Sequence, residues 1–297
     1  MLDLKTYLEQ KRLLIDQTLE QVIPPAEEFP GSIHRAMRYC LLAGGKRLRP
    51  ILALAAAEAV GGRADAVLKE ACALELIHTY SLIHDDLPSM DNDDYRRGMP
   101  TTHNVFGEAL AVLAGDALLT EAFRLLSGGC RNGTHRADTM LEIIQILSEA
   151  AGSRGLIGGQ VADLESEGKV IEESILDYIH TRKTGRLITA SVLLGAKLAG
   201  GSADEVACLE AYGRAIGHAF QITDDILDVS GSTERLGKPA GSDLKNNKAT
   251  YLSICGMEEA QKRQKALYED ALNALKLFDD KAEPLRLIGQ YIIERAT

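Results

Sequence analysis

Apolar positions recur at helical spacing from the first residues of the chain. Leu4, Leu8, Ile15, Leu19 and Val22 share one helical face, and Pro24-Pro25 closes that element. The same pattern predicts helices over Ser32–Ala43, ended by Gly44-Gly45, over Lys46–Val60, ended by Gly61-Gly62, and over Ala64–Asp86. A long apolar segment, Val105–Leu126, closes at Gly128-Gly129 and is followed by Arg136–Ala151. A glycine-rich piece from Ser153 to Leu164 precedes a helix over Ile171–Leu198, which Gly200-Gly201 ends. Ser202-Ala203-Asp204-Glu205 has the form of a capping box, and the helix it opens continues to Val229. A polar stretch, Ser230–Lys248, separates it from helices over Glu258–Leu277 and Lys281–Arg295. No alternating strand pattern, fixed-period repeat or Ser/Pro-rich linker interrupts the series. The expectation is an all-α, single-domain helical bundle of about ten or more helices over residues 1–297.

Two acidic stretches stand out against this apolar background. The segment from Asp85 to Asp94 (Asp-Asp-Leu-Pro-Ser-Met-Asp-Asn-Asp-Asp) carries five carboxylates. Most acidic runs are solvated surface. This one follows Ala73–Ile83, which is mostly apolar and reads as a buried helix. Asp85 and Asp86 therefore arrive at a helix C-terminus, where the macrodipole is already negative. A cation among them relieves that repulsion, and hard oxygen ligands in this number suit Mg²⁺. Asp85 and Asp91 are six apart with Pro88 between them, so only a turn brings them side by side. The second stretch, Asp224-Asp225-Ile226-Leu227-Asp228, lies within an apolar helix. There Asp224 and Asp228 face the same way.

Composition narrows the classes. A formal net charge of −10 and a pI near 5.3 argue against nonspecific nucleic-acid binding and against an anionic membrane surface. The five cysteines have no Cys-x-x-Cys spacing, which points to reduced thiols in a cytoplasmic setting and to no zinc site. The first residues read as an amphipathic helix start rather than a signal peptide, and charges interrupt every long apolar run, so no membrane span is expected. With no Trp and only 5% aromatics, the core is expected to be Leu, Ile and Ala.

Together these motifs resemble those of a known family. The stretch Asp85–Asp91 followed by Arg96-Arg97, with Asp224–Asp228 downstream, is similar to the two aspartate-rich motifs of the trans-isoprenyl diphosphate synthases. Gly44-Gly45-Lys46-Arg47-Leu48-Arg49-Pro50, Gly158-Gly159-Gln160, Lys183-Thr184-Gly185 and the closing Tyr291–Arg295 match the same family in its order. Tyr80 ahead of the longer first motif looks like the bacterial-type farnesyl diphosphate synthases (geranyltranstransferases). The resemblance implies a helical bundle around a deep central cavity, usually a homodimer. It implies a transferase that condenses isopentenyl diphosphate with dimethylallyl or geranyl diphosphate. Two or three Mg²⁺ ions, or Mn²⁺ in their place, would be held by Asp85, Asp91 and Asp224, with Asp86, Asp225 and Asp228 as ligands or supports.

Lys46 and Arg49 stand just after two glycines at a helix start, which suits an anion. By resemblance they hold isopentenyl diphosphate with His78 and Arg97, while Arg96, Lys183, Lys238 and Lys248 hold the allylic diphosphate. Lys183-Thr184-Gly185 places a glycine inside a predicted helix, which reads either as close packing or as a kink. The resemblance makes it a kink, with Lys183, Thr184 and Gln221 at the allylic group. Glu75 and His78 also have the Glu-x-x-His spacing of di-iron bundles, which need a second such motif, and none is found. Tyr80 and Ser81 lie roughly 6–8 Å below Asp85 along the helix, where Tyr80 reads either as a core aromatic packing elsewhere or, with Ser81, as the level that a growing prenyl tail meets; by resemblance the expected product is farnesyl diphosphate. The rivals are a geranyl or geranylgeranyl product, a class I terpene cyclase, and a regulatory partner subunit. Few aromatics count against the cyclase, and the retained aspartates count against the subunit. The tail, Glu294-Arg295-Ala296-Thr297, lacks the second basic residue often found in the family.

Overall fold

A computed structural model describes residues 2–131, 133–230 and 250–294. Helix α1 (Leu4–Val22) opens on Asp3, whose carboxylate accepts the Thr6 N–H at 3.1 Å, and it buries Tyr7, Ile15 and Leu19. Then come α2 (Gly31–Leu41), α3 (Leu48–Ala59) and α4 (Ala64–Asp85). Helices α3 and α4 are apolar on almost every side, and they are buried accordingly. A two-stranded hairpin, β1 (Tyr95–Arg96) and β2 (Met99–Pro100), leads into α5 (Thr102–Phe106) and α6 (Glu108–Arg131). The second half holds α7 (Ala137–Ala151), α8 (Leu156–Ser166), α9 (Glu173–Ile179), a π-helical turn (His180–Gly185), α10 (Arg186–Leu198) and α11 (Ala203–Ser230). Beyond residue 250 come α12 (Tyr251–Ala274), a 3₁₀ turn (Asp280–Ala282) and α13 (Glu283–Glu294).

The bundle is built on four central helices. α4 packs on α3 and α6, α10 packs on α3 and α11, and α11 packs on α12 and α13. Gly195 makes the closest crossing possible: a Cβ there would lie 1.8 Å from the Ala53 carbonyl oxygen of α3. The all-α expectation holds. The capping box at Ser202 forms: its N–H donates to Glu205 Oε2 at 2.8 Å, and the Glu205 N–H donates back to Ser202 Oγ at 3.3 Å.

Three readings of the pattern need correction. α6 runs through Gly128-Gly129 instead of ending there, because Gly129 makes room for the Glu70 carboxylate, 2.6 Å from where a Cβ would stand. α12 starts at Tyr251 rather than near Glu258, opened by a capping box between Thr250 and Ser253 and kinked at Gly256, φ 80°. The hairpin was missed, since two-residue strands carry no alternation to read. Among the described residues no helix is long and apolar enough to cross a membrane, and all five cysteines are unpaired.

Candidate active site

The first acidic motif is organised by the end of α4. Asp86 caps the helix, and the chain then turns through Pro88 so that the Asp91 N–H donates to the Asp85 carbonyl at 2.9 Å. The turn expected from Pro88 is present, and it returns Asp91 to Asp85. Burial lifts the Asp85 carboxyl to about 6; Lys183 opposes that shift, and Asp91 adds to it. Burial also raises Asp86, against its pairing with Arg96. Arg96 Nε lies 2.6 Å from Asp86 Oδ1, and Arg96 Nη2 lies 3.3 Å from Asp93. Arg96, expected at the allylic diphosphate, thus spans two carboxylates of its own motif.

A cationic wall faces this motif. The hairpin turns at Arg97 and Gly98, with φ of 54° and 76°, the double-positive pair of a tight two-residue turn. That turn delivers the Arg97 guanidinium to the Gly44 carbonyl, which accepts its hydrogen bond. Gly45, at φ 133°, lies under the same guanidinium: a Cβ there would meet it at 2.7 Å. Lys46 is exposed and Arg49 half-buried beside it. The Arg49 Nε is buried with no hydrogen-bond partner among the described residues. Burial lowers Arg49 to about 10, and Glu75 and Asp224 pull it back toward the charged form. His78 is held well below its ordinary value by burial and by Arg49, Arg97, Arg96 and Arg47, so it is neutral at pH 7. Its i−3 neighbour Glu75 is bonded to Arg47 at 2.8 Å, which removes the di-iron reading.

The opposite wall is the π-helical turn with α8 and α11. Its wider coil holds Lys183, Thr184 and Gly185, where the sequence predicts a kinked helix. Backbones come unusually close: a Cβ on Gly159 would lie 2.3 Å from the Lys183 nitrogen, and one on Gly217 would lie 2.8 Å from the Gly185 Cα. Lys183 Nζ bonds Asp163 at 2.7 Å. Thr184 Oγ1 donates to Gln221 Oε1 at 3.0 Å. In the second acidic motif Asp224 is half-buried, and Asp225 and Asp228 are buried. Asp225 accepts the Tyr251 N–H at 2.9 Å and stands 3.8 Å from His180 Nε2, so one expected ligand anchors the start of α12. Lys183 favours the charged form of Asp85, and Asp224 favours that of Arg49, so charges of the two walls act on one another.

The donor set fits divalent magnesium. Among the described residues no three His, Cys, Asp or Glu side chains are grouped tightly enough to hold an ion unaided. Mg²⁺ characteristically takes one or two carboxylates, waters and substrate phosphate oxygens. A buried carboxyl raised toward neutrality, as Asp85 is, regains its charge beside a cation. Lys238 and Lys248 lie outside the described residues, as does the tail from 295. Tyr80 is buried against His84, ring centroids 5.8 Å apart, with its hydroxyl unpartnered among the described residues, and Ser81 bonds the His78 carbonyl at 2.9 Å.

Sequence reasoning missed Asp163, Tyr251 and the role of Glu75. The Gly-Gly-Gln motif lies three residues from Asp163, but only the folded helix pair reveals Lys183 as its partner.

The chain matches the family model described as "Polyprenyl synthetase" over residues 30–285. It is 47% identical over 294 residues to a geranylgeranyl diphosphate synthase of Cyanophora paradoxa, covering 99% of this chain and 97% of the relative. It is 44% identical over 294 residues to a farnesyl diphosphate synthase of Geobacillus stearothermophilus, covering 99% and 98%. Among solved structures it is similar to an apo FPP/GFPP synthase from Zymomonas mobilis, with TM-score 0.86, 38% identity and 98% of each chain covered. The chain belongs to the polyprenyl synthetase family and is a prenyl-transferring enzyme.

Proposed function

We propose that this enzyme joins isopentenyl diphosphate to dimethylallyl diphosphate and then to geranyl diphosphate, releasing diphosphate each time and ending at farnesyl diphosphate. The observation that carries the two-substrate reading is the split of the site. One wall holds Arg49, whose buried Nε has no partner among the described residues, and the other holds Lys183, bonded to Asp163 at 2.7 Å and favouring the charged form of Asp85. Two anions can therefore be held apart with their hydrocarbon ends in the space between. Lys46, Arg49, His78 and Arg97 take the isopentenyl diphosphate. Arg96 and Lys183 take the allylic one, joined by Lys238 and Lys248. Divalent ions between Asp85, Asp91 and Asp224 would neutralise the allylic diphosphate as it leaves. Asp86 and Asp225, already committed to Arg96 and Tyr251, act as supports.

The chain's own groups do the rest. The Thr184 hydroxyl and the Gln221 amide, bonded at 3.0 Å, orient their oxygens toward the developing allylic cation. His78 is neutral, so its ring binds without adding a charge that the crowded arginines would oppose. No side chain is assigned to the final deprotonation; the released diphosphate is the base.

Tyr80 supports the fifteen-carbon product, since it lies five residues before Asp85 on α4, buried, with its hydroxyl unpartnered among the described residues. Relatives named for a geranylgeranyl product favour the longer chain as second reading. Chromatography of products from purified protein with Mg²⁺, labelled isopentenyl diphosphate and each allylic primer separates the two. Tyr80→Ala is expected to lengthen the product; an unchanged chain length overturns the role given to Tyr80. We also infer a homodimer, and a cytoplasmic setting from the unpaired thiols.

A further inference from the structure

Arg47 lies between Lys46 and Arg49, yet its side chain turns away from the site. It is only 2% exposed, and its backbone is left-handed, φ 50° and ψ 33°, which L residues adopt at a cost. Its guanidinium reaches three acceptors on three elements. Nε donates to Asp16 Oδ1 of α1 at 2.7 Å, Nη1 to Glu75 Oε1 of α4 at 2.8 Å, and Nη2 to the Leu41 carbonyl at the end of α2 at 2.7 Å. One buried side chain therefore ties together the three helices beneath the loop that carries Gly44, Gly45 and Lys46.

A buried ion pair is a weak source of stability, because apolar side chains of similar volume usually replace it without loss. Geometry is what apolar side chains would not reproduce here. The loop must keep the Gly44 carbonyl on Arg97 and keep Gly45 clear of that guanidinium. It must also hold Lys46 and Arg49 on the open side. Glu75 adds a second effect: bonded to Arg47 at 2.8 Å, its charge also favours the ionised form of Arg49 and Arg97.

We propose that Arg47, locked by Glu75, Asp16 and the Leu41 carbonyl, is a positioning residue for the isopentenyl diphosphate side of the site and not for the allylic side. This rests on the two-substrate reading above. Of the allylic groups, Lys183 and Thr184 stand on a different wall, tied by Asp163 and Gln221, and Arg96 is held by Asp86 and Asp93, none of which Arg47 touches. Breaking the Arg47 lock should therefore loosen one substrate only.

The test compares Arg47→Lys with the double variant Arg47→Met/Glu75→Leu. The double variant removes both charges of the buried pair together, so it is expected to stay folded with a cooperative thermal transition below that of the wild type, since the Leu41 carbonyl and Arg49 each lose a partner charge or donor. Its KM for isopentenyl diphosphate is expected to rise about tenfold, equivalent to one lost charge-assisted contact's worth of affinity. Its KM for the allylic diphosphate and its kcat at saturation should stay within about twofold, a margin well below that tenfold step. Arg47→Lys keeps the positive charge against Glu75 but not the fork that reaches all three acceptors, so it should show the same one-sided rise at about a third of the size. A folded variant with both KM values unchanged, or with both raised by the same factor, overturns the proposal. Wild-type protein that turns over both substrates while Arg47→Lys behaves identically overturns the role of Arg47 alone; wild-type protein with no turnover overturns the two-substrate reading and this proposal with it.

Discussion

Arg49 is a half-buried cation whose buried Nε has no hydrogen-bond partner among the described residues, with Arg97 opposing its charge. An arrangement that raises like charge in a low dielectric costs stability unless an anion completes it. Gly45 is the hinge of that arrangement. Gly45→Ala would force a Cβ into the Arg97 guanidinium and strain a backbone at φ 133°. Steady-state kinetics should show a rise in KM for isopentenyl diphosphate of about tenfold, with a loss of stability within roughly 1–3 kcal/mol. His78 carries the pH signature. Its folded-state value is depressed, so the unfolded chain binds a proton first as pH falls through about 6.5. Stability is lost in that direction at about 1.4 kcal/mol per pH unit, and it is fully present above that value. Urea unfolding at pH 7 and pH 5.5 should show a smaller difference for His78→Gln than for the wild type; an identical difference would refute the assignment.

At the scale of elements, the glycines divide into two kinds. Gly44, Gly61 and Gly200 follow helix ends at positive φ, and the sequence marks them correctly as stops. Gly129, Gly195 and Gly217 lie inside helices because another element approaches there. Nothing local distinguishes the two kinds, which is why α6 was expected to end too early. Gly195→Ala is expected to destabilise the fold by roughly 3 kcal/mol, the upper range for overpacking, because the Ala53 carbonyl is backbone and has little room to yield. A melting temperature within a degree of the wild type would exclude that crossing. The capping box at Ser202 and the turn after Pro88 were legible because both are decided within a few residues.

Across the whole molecule, the acidic motifs come from α4 and α11, and no three described carboxylates hold an ion alone. The site is therefore expected to be completed by its anionic ligand. Mg²⁺ alone and inorganic diphosphate alone should each raise the melting temperature little, and both together should raise it clearly. At a hundredfold excess over Kd the joint effect is roughly 2.7 kcal/mol. Chelator should reverse it, and Asp224→Ala should abolish it. Equal stabilisation by diphosphate with and without Mg²⁺ would rule out the ion's place between the two walls.

The sequence by itself determined the helical class, most helix limits, the two acidic motifs and the family they resemble. Each depends on spacing along the chain: helical periodicity, caps, prolines and carboxylates a turn apart. Only the tertiary structure decided which charges answer one another. Asp86 is committed to Arg96, Asp225 to the Tyr251 amide, Lys183 to Asp163, and Glu75 to Arg47. Apart from the first, these partners are separated by long stretches of chain, and side-chain type alone leaves them open. Packing around α3, α4, α10 and α11 settles them, because a charge removed from water must take the nearest opposite group that the fold brings within reach.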